Sequence, residues 1–157
     1  MRRLLTMALW ALMMAGCTTD TVYNSYQHTP IKGWEKNDTL KFDIPRLAEG
    51  GPYALDLGLR INSAYPFMSL TLIVEQTVYP GNRQYRDTLN CPLINENGNM
   101  LGQGVSSFQY NFHANRLHLD TGDSLHITVR HDMKREILPG VSDIGIILKH
   151  DLPAAAR

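Results

Sequence analysis

A chain of 157 residues with 15 basic and 15 acidic side chains is neutral overall, and that balance excludes the lysine- and arginine-rich footprint by which nucleic acids are held. Two cysteines, Cys17 and Cys91, exclude a disulfide framework once one of them is committed elsewhere. Behind the N-terminal segment about 140 residues remain, enough for one domain with a sizeable core.

Arg2 and Arg3 precede an apolar run from Leu4 to Met14. That run is short for a bilayer core of roughly 30 Å, and with its positive flank it reads as a secretory signal over residues 1–16. It ends in Leu12-Met13-Met14-Ala15-Gly16-Cys17. Small residues at 15 and 16 admit a signal peptidase, and the thiol that follows can take a diacylglycerol. The segment resembles the lipobox of bacterial lipoproteins, with Met14 where leucine is commoner. Two or more acyl chains, at about 0.8 kcal/mol per buried methylene, hold a protein at a membrane without help from its folded part. Thr18 and Thr19 follow Cys17, with neither an aspartate nor an acidic run, which points to the periplasmic face of the outer membrane.

Residues 17–30 are polar and rich in Thr, Tyr and Asn, as suits an acylated cysteine and tether, although Thr21-Val22-Tyr23 can add an edge strand. From residue 31 to 150 alternation of apolar and polar side chains dominates, the mark of half-buried strands. Leu40, Phe42 and Ile44 form the first set, then Leu55, Leu57, Leu59 and Ile61, then Met68, Leu70, Leu72, Val74, Gln76 and Val78. Phe108, Tyr110 and Phe112 follow, then Leu117 with Leu119, then Leu125, Ile127 and Val129, and last Ile144, Ile146 and Leu148. Turn residues punctuate these runs at Gly50-Gly51-Pro52, Pro80-Gly81-Asn82, Asn95 to Asn99, Thr121-Gly122-Asp123 and Pro139-Gly140. The pattern predicts an all-β domain, an antiparallel β-sandwich of jelly-roll or immunoglobulin-like type, with residues 151–157 as a tail. Strand order is not encoded in alternation, so both topologies stay open.

One hairpin is expected in detail. Pairing Leu119 with Leu125 keeps the flanking leucines and isoleucines on one face and sets His118 opposite His126 on the other. With Asp120 or Asp123 nearby this is the nearest approach to a metal site. Outward histidines are common on a wet sheet face, and no metal is assigned. Cys91, between Leu89 and Leu93, reads as a buried thiol. Leu101-Gly102-Gln103-Gly104-Val105 lacks the strand-to-helix context of a phosphate loop and reads as a bulge or turn. No Gly-x-Ser-x-Gly elbow or His-Glu-x-x-His occurs in the sequence, and carboxylates such as Asp43, Asp56, Glu75, Asp87 and Asp120 form no readable acid/base pair. The expectation is a protein that is not an enzyme and needs no cofactor.

Trp34, Tyr65, Phe67, Tyr79 and Tyr85 fall at or beyond strand ends. Such rings can form a platform for a glycan or a peptide. The favoured reading is that Trp34 plugs one end of the sandwich while the tyrosines cover its edges.

The chain also resembles the GldH family of gliding-motility lipoproteins of the Bacteroidetes. The matching features are Asp38-Thr39-Leu40-Lys41-Phe42 after Trp34, Tyr53 with the alternating run to Asn62, Asp87-Thr88-Leu89, Pro92-Leu93, Asn97-Gly98, Leu101-Gly102, and Leu138-Pro139-Gly140-Val141 before Asp143-Ile144-Gly145. The resemblance implies an outer-membrane lipoprotein of the gliding apparatus, which in that phylum is tied to type IX secretion. Its implied partners are the membrane, through the lipid, and other envelope proteins. Only Cys17, as the acylated residue, carries over. Trp34, Tyr65, Phe67 and Pro139 are the candidate contact residues, being aromatic or rigid residues placed in loops.

Overall fold

The computed structural model describes residues 20–151, so the signal segment, Cys17 and residues 152–157 lie outside the described residues. Ten strands run in order: β1 (Thr21–His28), β2 (Trp34–Glu35), β3 (Leu40–Ile44), β4 (Gly51–Asn62), β5 (Ser69–Tyr79), β6 (Arg83–Pro92), β7 (Ser107–Leu119), β8 (Ser124–His131), β9 (Ile137–Leu138) and β10 (Val141–His150). One antiparallel sheet is ordered β1-β10-β4-β7 and the other β3-β8-β5-β6, with β2-β9 as a short ribbon. Setting the ribbon aside, the long strands in chain order occupy the first sheet as first, eighth, third and sixth, and the second as second, seventh, fourth and fifth. This is the jelly-roll arrangement, which resolves the choice of topology.

Alternation translates into the core as the strand period requires. In β3, Leu40, Phe42 and Ile44 are buried while Lys41 and Asp43 are exposed. In β4, a strand with partners on both sides, Leu55, Leu57 and Leu59 are fully enclosed, each burial contributing about 1.5–3 kcal/mol. Met68 departs from the expected set: it precedes β5 and is exposed.

Four features differ from the sequence expectation. Residues placed within the tether form β1, which starts at the Thr21-Val22-Tyr23 edge strand that the sequence allowed and runs on to His28, pairing with β10 from Thr21 opposite Lys149 to His28 opposite Asp143. An edge strand is held largely by its backbone ladder, so the polar composition of this segment conceals it. A second difference is β7, one strand of 13 residues where two runs are visible in the sequence. A bulge at Ala114, between Asn115 opposite Leu55 and His113 opposite Asp56, shifts the inward set from even to odd numbers.

Third, β6 is a strand without an apolar signature, because Asp87 stands in the middle of its inward series. Asp87 Oδ2 accepts from Gln76 Nε2 at 2.9 Å and from Asn115 Nδ2 at 3.0 Å, so a polar bridge links the two sheets at that edge. Fourth, the expected Leu119–Leu125 hairpin does not form, since β7 and β8 belong to different sheets. Both leucines are buried, and they reach the core from opposite sides. In a jelly roll most consecutive strands change sheet, and among the described residues only β5 and β6 form a sequential pair.

Candidate functional site

The four candidate contact residues gather at one end of the sandwich, beyond the end of β4 and the start of β5 and β10. Trp34 pairs with Leu138 in the β2-β9 ribbon, and its indole Nε1 donates to the Asp38 carbonyl at 2.9 Å. Its ring meets His131 edge to face at 5.2 Å, while His131 Nε2 lies 3.2 Å from the Trp34 carbonyl. Both side chains are wholly buried. Burial holds the His131 imidazolium below the usual histidine range, partly offset by that carbonyl. Trp34 is thus the plug of this end and offers no surface to a partner.

The Pro139-Gly140 corner leans on the β4–β5 loop. Gly140 has φ of +81°, and a Cβ there would overlap the backbone of Tyr65, so both conformation and space require glycine. Its carbonyl accepts from Asn62 N–H at 2.8 Å. Tyr65 is buried, donates to the Ser69 carbonyl at 2.9 Å and packs edge to face on Phe67 at 5.7 Å. Burial, and then the nearby Cys91, push its phenol well above the usual tyrosine range. Only Phe67 and Pro139 of the four remain half-buried. Around them stand Ile31, Met68 and Ile137, all exposed. Ile31 tops the turn closed by Gly33 N–H on the Pro30 carbonyl at 2.9 Å, and Ile137 Cγ2 is the atom that a side chain at Gly33 would strike. These three aliphatic residues give no signal in the sequence beyond their hydrophobicity.

At the opposite end, three loops meet around a cavity of about 830 Å³ whose lining includes Arg46, Tyr79, Arg83, Asp120 and Asp123. Leu47 N–H donates to the Asp123 carbonyl and Gly122 N–H to that of Leu47, both at 2.8 Å. Asp123 is buried, accepts from Arg83 Nη2 at 2.5 Å and from Asp120 N–H at 3.0 Å. Arg46 also lines a neighbouring cavity of about 380 Å³ with Val22, Tyr53 and His150.

The histidine pair expected across a hairpin is separated. His118 stands outside the first sheet, beside buried Leu117 and Leu119, and His126 outside the second, beside buried Leu125 and Ile127. His126 Nδ1 pairs with Asp43 Oδ1 at 2.6 Å. Among the described residues no three His, Cys, Asp or Glu side chains converge as metal ligands. Cys91 is fully enclosed, and burial pushes its thiol up to about 12. Gly102 lies beneath the Tyr110 ring, where a Cβ would come within 2.6 Å of Cζ, and Gln103 pairs with Gln109, as befits a turn.

The profile of the family described as GldH lipoprotein matches residues 21–148, from the first residue of β1 into β10. The gliding motility lipoprotein GldH of Flavobacterium johnsoniae is 28% identical over 144 residues, covering 87% of this chain and 89% of its own. A GldH homolog of Christiangramia forsetii is 22% identical over 143 residues, covering 85% and 86%. Within the matched range Leu138 and Val141 flank the corner that Gly140 turns, and Leu93 is buried with its carbonyl accepting from Tyr110 Oη at 3.0 Å. This chain belongs to the GldH lipoprotein family.

Proposed function

We propose that the protein is a non-enzymatic accessory or structural component of the gliding-motility and type IX secretion apparatus, anchored by lipid at Cys17 to the periplasmic face of the outer membrane. The observation that carries this reading is the extent of the family match, which takes in nearly the whole sandwich from residue 21 to 148. The end that bears Phe67 and Pro139, with the exposed Ile31, Met68 and Ile137 around them, supplies apolar contact area for another envelope protein of the apparatus. Trp34 and Tyr65 contribute from beneath by holding that end rigid. Of the rings that a glycan or peptide platform would use, Trp34 and Tyr65 are buried, Phe67 is half-buried, and Tyr79 and Tyr85 are exposed away from that end.

The experiment is crosslinking and capture from native envelopes with a tagged protein and a Cys17→Ser control, followed by mass spectrometry of the partners and of the N-terminal peptide. Recovery of other gliding or type IX components, reduced by the triple change Ile31→Asp, Met68→Asp and Ile137→Asp, supports the reading. A protein recovered acylated but alone overturns it.

A further inference from the structure

We propose that the end of the sandwich at which β1 begins rests against the membrane, with the guanidinium groups of Arg46 and Arg83 meeting phospholipid headgroup phosphates. The proposal depends on acylation of Cys17. Its first support is chain length. The Asp20 carbonyl accepts from His150 N–H at 2.8 Å, so the folded body already includes Asp20. Only Thr18 and Thr19 separate it from Cys17, and three residues of chain reach at most about 10 Å. A lipid on Cys17 therefore brings this end to the headgroup layer, and the opposite end cannot replace it without tearing β1 from β10.

What this end carries fits that layer. Arg83 is positioned by buried Asp123, and a guanidinium has five N–H donors, so one carboxylate leaves others to engage a second acceptor. Arg46 is exposed and forms no ion pair among the described residues. Both line the same cavity of about 830 Å³, open between the loops. Asp120 and Glu49 stand exposed beside them, so this end has little net charge. The attraction is local bidentate pairing with phosphate, and the anchor supplies the high effective concentration that lets such pairing be populated. Val22, Ala48, Tyr79 and Pro80 are exposed on the same loops and strand ends, and a tyrosine with an apolar body and a polar tip suits a membrane–water boundary. The 12 residues of β4 span the sandwich, which sets the Ile31, Met68 and Ile137 end roughly 40 Å further from the bilayer.

The test uses the acylated mature protein in vesicles of phosphatidylethanolamine and phosphatidylglycerol. A fluorophore is attached at Ala48→Cys, beside the cavity, or at Lys32→Cys, at the far end, and nitroxide on the lipid headgroups quenches whichever lies close. Cys91, being enclosed, takes no label. Strong quenching at position 48, little at position 32, and a fall of about fivefold in the docked fraction on Arg46→Glu support the proposal, as does a similar fall in phosphate-free galactolipid vesicles. The mass of the N-terminal peptide reports acylation separately. An acylated Cys17 with equal quenching at both positions, or with quenching at position 48 indifferent to Arg46→Glu and to phosphate, overturns the proposal and leaves the lipoprotein reading standing. An unmodified Cys17 overturns both.

Discussion

The phenol ring of Tyr26 lies against Gly58, two strands away across the outer face of the first sheet. Gly145 of β10 stands between them in register, and a Cβ there would come within 2.5 Å of the Tyr26 ring. Two glycines side by side in central strands thus make a trough that the ring fills. Arg60 caps it, with its guanidinium carbon 4.4 Å from the ring centre, adding a cation–π contact. The aromatic ring fastens an edge strand that has only one hydrogen-bonded neighbour.

Gly58→Ala will destabilise the protein by about 1–3 kcal/mol, because the added methyl overlaps the Tyr26 hydroxyl and the ring must leave the trough. Most of that loss should vanish when Gly58→Ala is made in a Tyr26→Ala background, as a double-mutant cycle of denaturant midpoints will show. Equal losses in the two backgrounds would mean the ring is not what fills the trough. Amide exchange in β1 should rise with either single change.

Trp34→Ala will cost about 3–5 kcal/mol, the range for emptying a large aromatic site in a closed core. Trp34 is the one tryptophan of residues 17–157, so in a chain beginning at Cys17 its fluorescence follows unfolding directly. A blue-shifted native emission that moves red on denaturation is the expected signature. A variant as stable as the parent by circular dichroism would refute the plug.

Stability will fall as the solution is acidified below about pH 6.5. His131 has its folded-state pKa lowered by burial, so the unfolded chain binds the proton more readily. Its contribution is complete above the unfolded pKa and is lost as the pH drops through the folded one, with a slope of up to about 1.4 kcal/mol per pH unit. His131→Phe should flatten the curve between pH 7 and the folded-state titration relative to the parent. An unchanged slope would show that His131 does not titrate with folding. Asp56 acts in a different window: burial raises its pKa, but hydrogen bonds from Lys149 and His113 outweigh that and lower it below 3.8, so its contribution survives until more acid conditions.

Cys91 will resist alkylation in the folded protein at pH 8, since its thiol is enclosed and its pKa is pushed up to about 12. Pulse labelling with iodoacetamide, read by mass, should modify it only in step with global unfolding. Labelling at native denaturant concentrations would reveal a local opening around β6.

Alternation made β3, β4 and β5 legible because their inward residues are apolar apart from Gln76 in β5, and the Pro139-Gly140 turn was legible because glycine answers a backbone demand. Other features rest on relations that local pattern does not contain. Asp87 is inward but satisfied by Gln76 and Asn115, so β6 lacks the stripe that identifies a strand. The parity of Leu119 and Leu125 correctly places both in the core, yet parity is the same whether two strands pair or face each other from opposite sheets. Trp34 illustrates the limit for the candidate contacts: its role as a plug was readable, and its full burial within β2 removes it from the contact residues, among which the sequence also placed it. The Arg46–Arg83 cavity joins residues from three loops far apart in the chain, which the jelly-roll connections alone bring together.

Because β1 is both the described strand nearest Cys17 and an edge of the first sheet, it is the element through which any pull on the N-terminal side enters the fold. A load between residue 20 and the Ile31, Met68 and Ile137 end runs along the strand axis, so the β1–β10 hydrogen bonds from Thr21 to His28 are sheared together instead of being unzipped one after another. The Tyr26 ring, seated crosswise in its glycine trough, opposes that sliding as a detent. The geometry is that of a mechanical clamp.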